Sequence, residues 1–365
     1  MEIRVQPHDE AYGRDEESVA AARAVKPYLI LCALVFAGIL PFVSRAVNMD
    51  EPQYLHVADF AAHHNWRFPQ ETNWVFFGKR YPNLAAQTHL PVAEYYLAIL
   101  IRLLGRFDEL KFRLLFSVFP LFAIISFYRL AKRFTRNPLL VSCLFAVCPA
   151  FFVLGPTLMM DIPAIAFLLA GLSLYLDGHE RPVRLWLSAI CFILAAGTAY
   201  TVLVPLGCLF IWAVCTGRPK REWIAIAAAP SAIAAWLMVM TVHFGESPAV
   251  ELTRYYTSHF SFSHLVLPVF SFIGGVAVFP WMHLAFAEKR VRRVIAITSI
   301  VAALALTFFC AWPSTWYRLW FFFLASSGIG LLVLFAVHAL RQTAIQKPLG
   351  HGFLVLWLPV TLLFF

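Results

Sequence analysis

The sequence predicts an all-α protein, a polytopic bundle of about 11 transmembrane helices with juxtamembrane helices in a long first outer loop. Of the 365 residues, 61% are hydrophobic and 13% are charged. A soluble domain is about 45–50% apolar and about 25% charged. Aromatic residues make up 16%, with 35 Phe, which suits a lipid-facing surface with interfacial belts. These proportions exclude an ordinary water-soluble domain.

The apolar runs give the predicted spans. A span needs about 20 apolar residues. The candidates are 27–44, 112–130, 138–155, 161–177, 184–198, 200–217, 222–243, 264–286, 294–311, 318–340 and 351–365. The run 90–104 is short and contains Glu94 and Arg102, so we interpret it as a helix lying at the interface.

The basic residues set the predicted orientation. They form clusters in short loops that all fall on one side if 90–104 does not cross the membrane, and Lys and Arg favour the cytoplasmic side. The N terminus is then cytoplasmic and residues 45–111 form the first outer loop. The clusters are Arg129, Lys132, Arg133 and Arg136; Arg181 and Arg184; Arg218, Lys220 and Arg221; Lys289, Arg290, Arg292 and Arg293; and Arg341 and Lys347.

The same clusters account for the formal net charge of +9, so no nucleic-acid partner is predicted. Residues 1–26 are polar and of mixed charge, which predicts a disordered cytoplasmic tail before a transmembrane module at 27–365. The first apolar run is expected to act as an uncleaved signal anchor. The seven Cys lie in apolar stretches without CxxC pairs and are interpreted as buried apolar residues.

Isolated carboxylates mark the candidate active site. Asp50 and Glu51 open the polar, aromatic loop MDEPQYLHVADFAAHHNW, and Asp161 lies at the start of a later span in LMMDIPAIAF. Under the predicted orientation, all three face the outer side. Helix capping is the competing explanation for each of them. Because the spans hold almost no other carboxylates, and acids at the rim of a bundle tend to be functional, we predict a site at this rim.

Basic and histidine side chains on the predicted outer face are candidate ligands for a phosphate. Solvated loop charges are the alternative for each. These candidates are Lys79, Arg80, His89, Arg254, His259 and Arg318. His56 and the His63-His64 pair match no metal-ligand spacing, so no metal site is predicted. The sequence has no DxD motif and no P-loop.

Four segments resemble the GT-C superfamily of membrane glycosyltransferases, and most closely the branch with protein O-mannosyltransferases and the lipid A aminoarabinose transferase. MDEPQYLHVADF follows the first span, where that family carries an Asp-Glu pair and a surface helix. THLPVAEYYLAILIRLLG resembles its aromatic helix, and LMMDIPAIAFLLAGLSLYL resembles its Asp-led span. ILAAGTAYTVLVPLGCLFIW resembles its hairpin of spans, although the polar turn here lacks Lys.

The resemblance implies transfer of a sugar from a polyprenyl-phosphate-sugar donor to a hydroxyl acceptor at the outer face. It implies that Asp50 is the general base, that Glu51 assists it, and that Asp161 lines the same pocket. It also implies that His89 neutralises the phosphate, ahead of the other cations. The partners would be the donor, the lipid bilayer and a protein, glycolipid or polysaccharide acceptor. No cofactor is expected.

A secondary transporter or a flippase for lipid-linked sugars is the alternative function. Transporters place ionisable groups or broken helices near the membrane midplane, whereas the charges here lie at the rims. A structural scaffold is a third possibility, but it would not need the long aromatic first loop. The expected location is a bacterial inner or plasma membrane, because the sequence has no organelle address or lipidation motif.

Overall fold

The computed structural model is helical, with one short β-hairpin among the residues it describes. It describes residues 25–47, 50–64, 66, 73–76, 79–82, 90–178, 181–245, 250, 289–308 and 315–343. Of the predicted tail 1–26, residues 1–24 lie outside these ranges and residues 25–26 are already helical. The predicted helical architecture is confirmed.

Thirteen helices occur within the described ranges, and many begin with a proline in the first turn, where the missing N–H costs no hydrogen bond. The helices are α1 Val25–Phe42, α2 Glu51–His63, α3 Val92–Leu104, α4 Glu109–Phe116, α5 Val118–Phe134, α6 Pro138–Ala146, α7 Pro149–Leu154, α8 Asp161–Asp177, α9 Pro182–Thr198, α10 Leu203–Cys215, α11 Lys220–Phe244, α12 Lys289–Phe308 and α13 Thr315–Thr343. Short 3₁₀ turns end α1 at Leu40–Phe42 and precede α10 at Tyr200–Val202.

Four helical segments in the described ranges are long and apolar enough to cross a membrane. They are Val25–Phe42, Glu109–Phe134, Lys220–Phe244 and Thr315–Leu334. Pro182–Thr198 and Tyr200–Cys215 are shorter apolar helices. The predicted spans 264–286 and 351–365 lie outside the described residues.

Residues 138–155 were predicted to form one span, and that prediction is wrong in detail. The stretch is broken into α6 and α7 by a turn at Val147 and Cys148. Pro149 lies at the start of α7. Its ring and its missing N–H disfavour continuation of a preceding helix, which agrees with the break at this point.

The β-hairpin in the first outer loop was not predicted. Strand β1 spans Asn73–Phe76 and pairs antiparallel with β2, Lys79–Pro82, in a register that places Trp74 opposite Tyr81. Aromatic and β-branched residues favour strands. In the sequence Phe77-Gly78 separates the two strands, and a two-residue connection with glycine is a hairpin signal.

Helix α8 lies at the centre of the described bundle and packs against α5 and α9. Gly171 allows the close approach of α8 to α9, because a Cβ there would lie 2.6 Å from the ring of Phe192. Asp161 and Asp177 are the two ends of α8. They are therefore about 24 Å apart along a helix that rises 1.5 Å per residue.

Helices α2 and α3 pack together beside the end of the bundle where α8 begins. The helical period over 53–64 predicts a face with Tyr54, Val57, Ala58 and Ala61 that rests on the membrane surface. In the structure Val57, Ala58 and Ala61 are instead buried within the protein, and Tyr54 is partly buried. Arg102 of α3 donates from Nε to the carbonyl of Ala62 at 2.8 Å. With 13 residues, α3 is about 20 Å long, too short for the ~30 Å core of a bilayer.

Candidate active site

A buried ion pair between Glu51 and Arg113 lies next to the candidate site. Arg113 Nη1 is 2.9 Å from Glu51 Oε1, and Arg113 Nη2 is 3.0 Å from Oε2. Both side chains are fully buried. A two-pronged Arg–carboxylate contact of this kind has fixed geometry as well as charge. Glu51 therefore has its two oxygens directed into the protein.

The ion pair and its hydrogen-bond partners join four parts of the chain. The backbone N–H of Leu158 donates to Glu51 Oε1 at 2.9 Å, and Arg113 Nη1 donates to the carbonyl of Pro156 at 2.7 Å. Arg45, just after α1, lies 3.4 Å from Glu51 Oε1. The end of α1, the start of α2, helix α4 and the turn before α8 are thus held at one end of the bundle.

The same contacts settle the relative placement of Asp50 and Asp161. Asp50 precedes Glu51, and Asp161 lies three residues after Leu158, so the two carboxylates are on the same end of the bundle. The two carboxylates lie near enough to each other for the charge of Asp50 to act on Asp161. Both residues are exposed. The structure thus brings these two predicted residues together.

Neither carboxylate caps its helix. Asp50 occupies the N-cap position of α2, but its side chain accepts no capping hydrogen bond. Asp161 is the first residue of α8, and Met160 is the N-cap. Asp108 gives the contrast within the same protein, because its Oδ1 accepts from the N–H of Lys111 at 3.0 Å. A side-chain cap therefore does not explain Asp50, whereas Asp161 lies in the first turn of α8, where the helix dipole favours a carboxylate.

Tyr54 lies beside the acidic residues. Burial raises the pKa of the Tyr54 phenol above its ordinary value of 10.0, and the charges of Glu94, Asp50 and Asp161 raise it further. The phenol is therefore a neutral hydroxyl near three carboxylates, able to donate one hydrogen bond.

Glu94 lies close to Tyr54 at the candidate site, and sequence analysis did not select it. It lies in the first turn of α3 and is fully buried, and its charge acts on Tyr54 and Tyr95. A single acidic residue in the otherwise apolar run VAEYYLAILIRLL was the available signal. Arg113 was missed in the same way, as one cation at the head of a predicted span.

The predicted phosphate ligands are mostly not tested by the structure. His89, Arg254 and His259 lie outside the described residues. Lys79 and Arg80 form the first half of β2, with side chains outside the described set. Arg318 is exposed on α13. In the described part of the chain, the guanidinium groups nearest to the acidic residues are those of Arg45 and Arg113.

No group of three His, Cys, Asp or Glu side chains suited to a metal ion occurs among the residues that the structure describes. His63 and His64 each contact a backbone carbonyl of their own helix, those of Asp59 and Phe60. The described geometry places two carboxylates, those of Asp50 and Asp161, at the same end of the bundle.

Comparison with known proteins gives a family match that covers the centre of the chain. Residues 88–244 match the family model described as dolichyl-phosphate-mannose-protein mannosyltransferase. The matched segment includes α3 to α11, with Arg113 and Asp161. No curated protein matches the chain. The family match confirms the resemblance to GT-C membrane glycosyltransferases that the sequence predicts.

Proposed function

We propose that this chain, whose residues 88–244 are similar to dolichyl-phosphate-mannose-protein mannosyltransferases, is a polyprenyl-phosphate-sugar-dependent glycosyltransferase. It transfers the sugar to a hydroxyl acceptor at the outer face of the membrane. The observation that carries the proposal is the exposed Asp50 at the same end of the bundle as Asp161, where the Glu51–Arg113 pair holds the start of α2 against the turn before α8.

In the proposed reaction, Asp50 accepts the proton of the acceptor hydroxyl. The acceptor oxygen attacks the anomeric carbon and forms the new glycosidic bond. The bond between that carbon and the phosphate oxygen breaks, and polyprenyl phosphate leaves with the electron pair. A carboxylate within hydrogen-bond reach of the hydroxyl supplies general-base catalysis of about 10²–10⁴-fold. Asp161 accepts a second hydrogen bond and orients the acceptor.

Glu51 takes a different role from the catalytic one that the resemblance implies. Its two carboxylate oxygens face Arg113, and Oε1 also accepts from the N–H of Leu158. We therefore assign Glu51 and Arg113 as positioning residues. They hold the start of α2, with Asp50, against the turn that leads to Asp161.

The leaving phosphate needs positive partners in a site of low dielectric constant. His89 is our first candidate because it matches the position just before Leu90-Pro91 in the family that the sequence resembles. Lys79, Arg80, Arg254, His259 and Arg318 are further candidates. A monophosphate can be neutralised by such cations, so the proposed reaction does not require a metal.

The orientation is also part of the proposal. Arg129, Arg133 and Arg184 lie around Asp177, at the opposite end of α8 from Asp161. If this basic end is cytoplasmic, the N terminus is cytoplasmic and Asp50 faces outward. The setting would be the inner or plasma membrane of a bacterium.

The test is release of polyprenyl phosphate from a panel of polyprenyl-phosphate sugars by the purified protein with membrane acceptors. Release of the lipid phosphate together with a glycosylated acceptor supports the proposal and identifies the sugar. If the folded protein instead moves an intact donor between leaflets of proteoliposomes without breaking it, the transporter or flippase alternative is correct.

A further inference from the structure

A second charged cluster lies at the end of the bundle opposite the candidate active site. Arg184 Nη1 is 3.0 Å from Asp177 Oδ2, and Arg129 Nη2 is 3.6 Å from the same oxygen. Arg133 Nη2 contacts the other oxygen, Oδ1. We call Asp177, Arg129, Arg133 and Arg184 the Asp177 cluster. It joins the last residue of α8 to α5 and α9.

The Asp177 cluster carries more positive charge than its carboxylate neutralises. Three guanidinium groups and one carboxylate give +3 − 1 = +2. Each guanidinium has five N–H donors, whereas one carboxylate offers about four lone pairs. The Asp177 side chain is 15% exposed, but those of Arg129 and Arg184 are 47% and 36% exposed. The arginine side chains are therefore partly accessible to an anion from outside.

An apolar surface continues directly from this charged end. On α9, the residues that follow Arg184 include the exposed Trp186, Leu187 and Ile190. Tryptophan is enriched where the headgroup region of a membrane meets its hydrocarbon core. A charged end followed along the same helix by exposed apolar side chains matches a molecule with an anionic head and an apolar tail.

The surrounding residues add to the positive potential. Lys132 of α5 lies over the ring of Tyr128, with 4.8 Å between its ammonium nitrogen and the ring centroid. Anionic lipids attract basic residues at the membrane surface. Positive charges that only set the orientation of the protein in the membrane could be dispersed over this end. Here three arginines from α5 and α9 converge on the one carboxylate of Asp177.

We propose that the Asp177 cluster is a binding site for the phosphate of an anionic phospholipid, in the leaflet opposite the candidate active site. Outward-facing donors of Arg129, Arg133 and Arg184 bind the phosphate, and the acyl chains lie along the exposed face of α9 at Trp186, Leu187 and Ile190. The site is separate from the polyprenyl-phosphate donor, which the proposed function places at the Asp161 end of α8.

The experiment is a titration of the full-length protein with phosphatidylglycerol or phosphatidylcholine, followed by native mass spectrometry. The test variant carries Arg129→Gln and Arg184→Gln. The control variant carries Arg136→Gln and Lys220→Gln, exposed residues that also lose two charges and have no ion pair with Asp177 in the described part of the chain.

We expect wild-type protein to bind phosphatidylglycerol more tightly than phosphatidylcholine. The test variant should bind phosphatidylglycerol about 25-fold more weakly than wild type, because each lost charge costs about fivefold. The control variant should bind it less than about threefold more weakly. Arg129→Lys with Arg184→Lys keeps both charges and should retain most of the preference. Equal binding of the two lipids by wild type, or equal losses in test and control variants, would overturn the proposal.

Two further measurements keep the proposal testable if the glutamine variant does not fold. A photoreactive phosphatidylglycerol should label residues 182–190 of the wild-type protein more than residues 220–228, and the opposite ratio refutes the site. Inorganic phosphate at millimolar concentration should not displace the lipid. Displacement would mean that the cluster binds free phosphate rather than a lipid headgroup.

Discussion

Replacing Glu51 by Gln should destabilise the protein strongly, and the structure gives the magnitude. The carboxylate receives Arg113 at 2.9 and 3.0 Å and the N–H of Leu158 at 2.9 Å, with Arg45 at 3.4 Å. A glutamine keeps one of the two acceptor oxygens and removes the charge. Arg113 then remains as a buried cation without its counter-ion. Breaking a buried pair in this way costs about 3–5 kcal/mol.

The assay is thermal unfolding of purified protein in detergent. At about 2 °C per kcal/mol for a chain of this size, Glu51→Gln should lower the midpoint by about 6–10 °C. Glu109→Gln is the matched control, because Glu109 accepts one long hydrogen bond of 3.4 Å from the N–H of Val47 and is only half-buried. That change should cost about 1 kcal/mol or less.

A double-mutant cycle separates the ion pair from a general effect of the substitution. Arg113→Gln removes the buried cation, so the combined Glu51→Gln and Arg113→Gln variant should be more stable than the sum of the single losses predicts. If Glu51→Gln unfolds within about 1 °C of Glu109→Gln, or if the two losses simply add, the positioning role of the pair is refuted.

Three further predictions address the site and the packing. Asp161→Asn should lower turnover by about 10–100-fold through loss of acceptor positioning, with donor binding retained, and unchanged turnover would exclude that role. The raised pKa of Tyr54 means that the folded state favours the neutral phenol, so the free energy of unfolding should fall as the pH rises above 10.0. Unfolding measured from pH 9 to about 11.5 tests this, and the fall should be smaller in Tyr54→Phe. Gly171→Ala should lower the free energy of unfolding by about 1–3 kcal/mol, because the added Cβ would lie 2.6 Å from the Phe192 ring. Gly207→Ala is the control in the same thermal unfolding assay and should be neutral or stabilising, because a Cβ there meets open space.

The sequence predicted the helical architecture because membrane spans follow from apolar length and charge, which are local properties. The helical period of α2 at Tyr54, Val57, Ala58 and Ala61 is also a local property, but it indicated a face on the membrane surface, whereas Val57, Ala58 and Ala61 are buried within the protein. The break at Pro149 was missed because the run 138–155 is apolar throughout. The hairpin at Asn73–Pro82 was missed because a four-residue strand gives a weak pattern.

The candidate site was predictable only in part. Asp50 and Asp161 stood out because carboxylates are rare near the spans. The role of Glu51 was not predictable, because its partners Arg113 and Leu158 are 62 and 107 residues away in sequence. A burial that depends on such distant contacts leaves no local signal. Glu94 and the Asp177 cluster depend on helix packing in the same way.

The most direct test of the central claim compares Asp50→Asn with wild type for release of polyprenyl phosphate under single-turnover conditions. Asp59→Asn is the control, because Asp59 is also an exposed carboxylate of the α2 segment and pairs with His63 at 3.2 Å. The account predicts that Asp50→Asn binds donor and unfolds like wild type but releases at least about 100-fold less lipid phosphate, with Asp59→Asn unaffected. A folded Asp50→Asn protein with wild-type release would contradict the account.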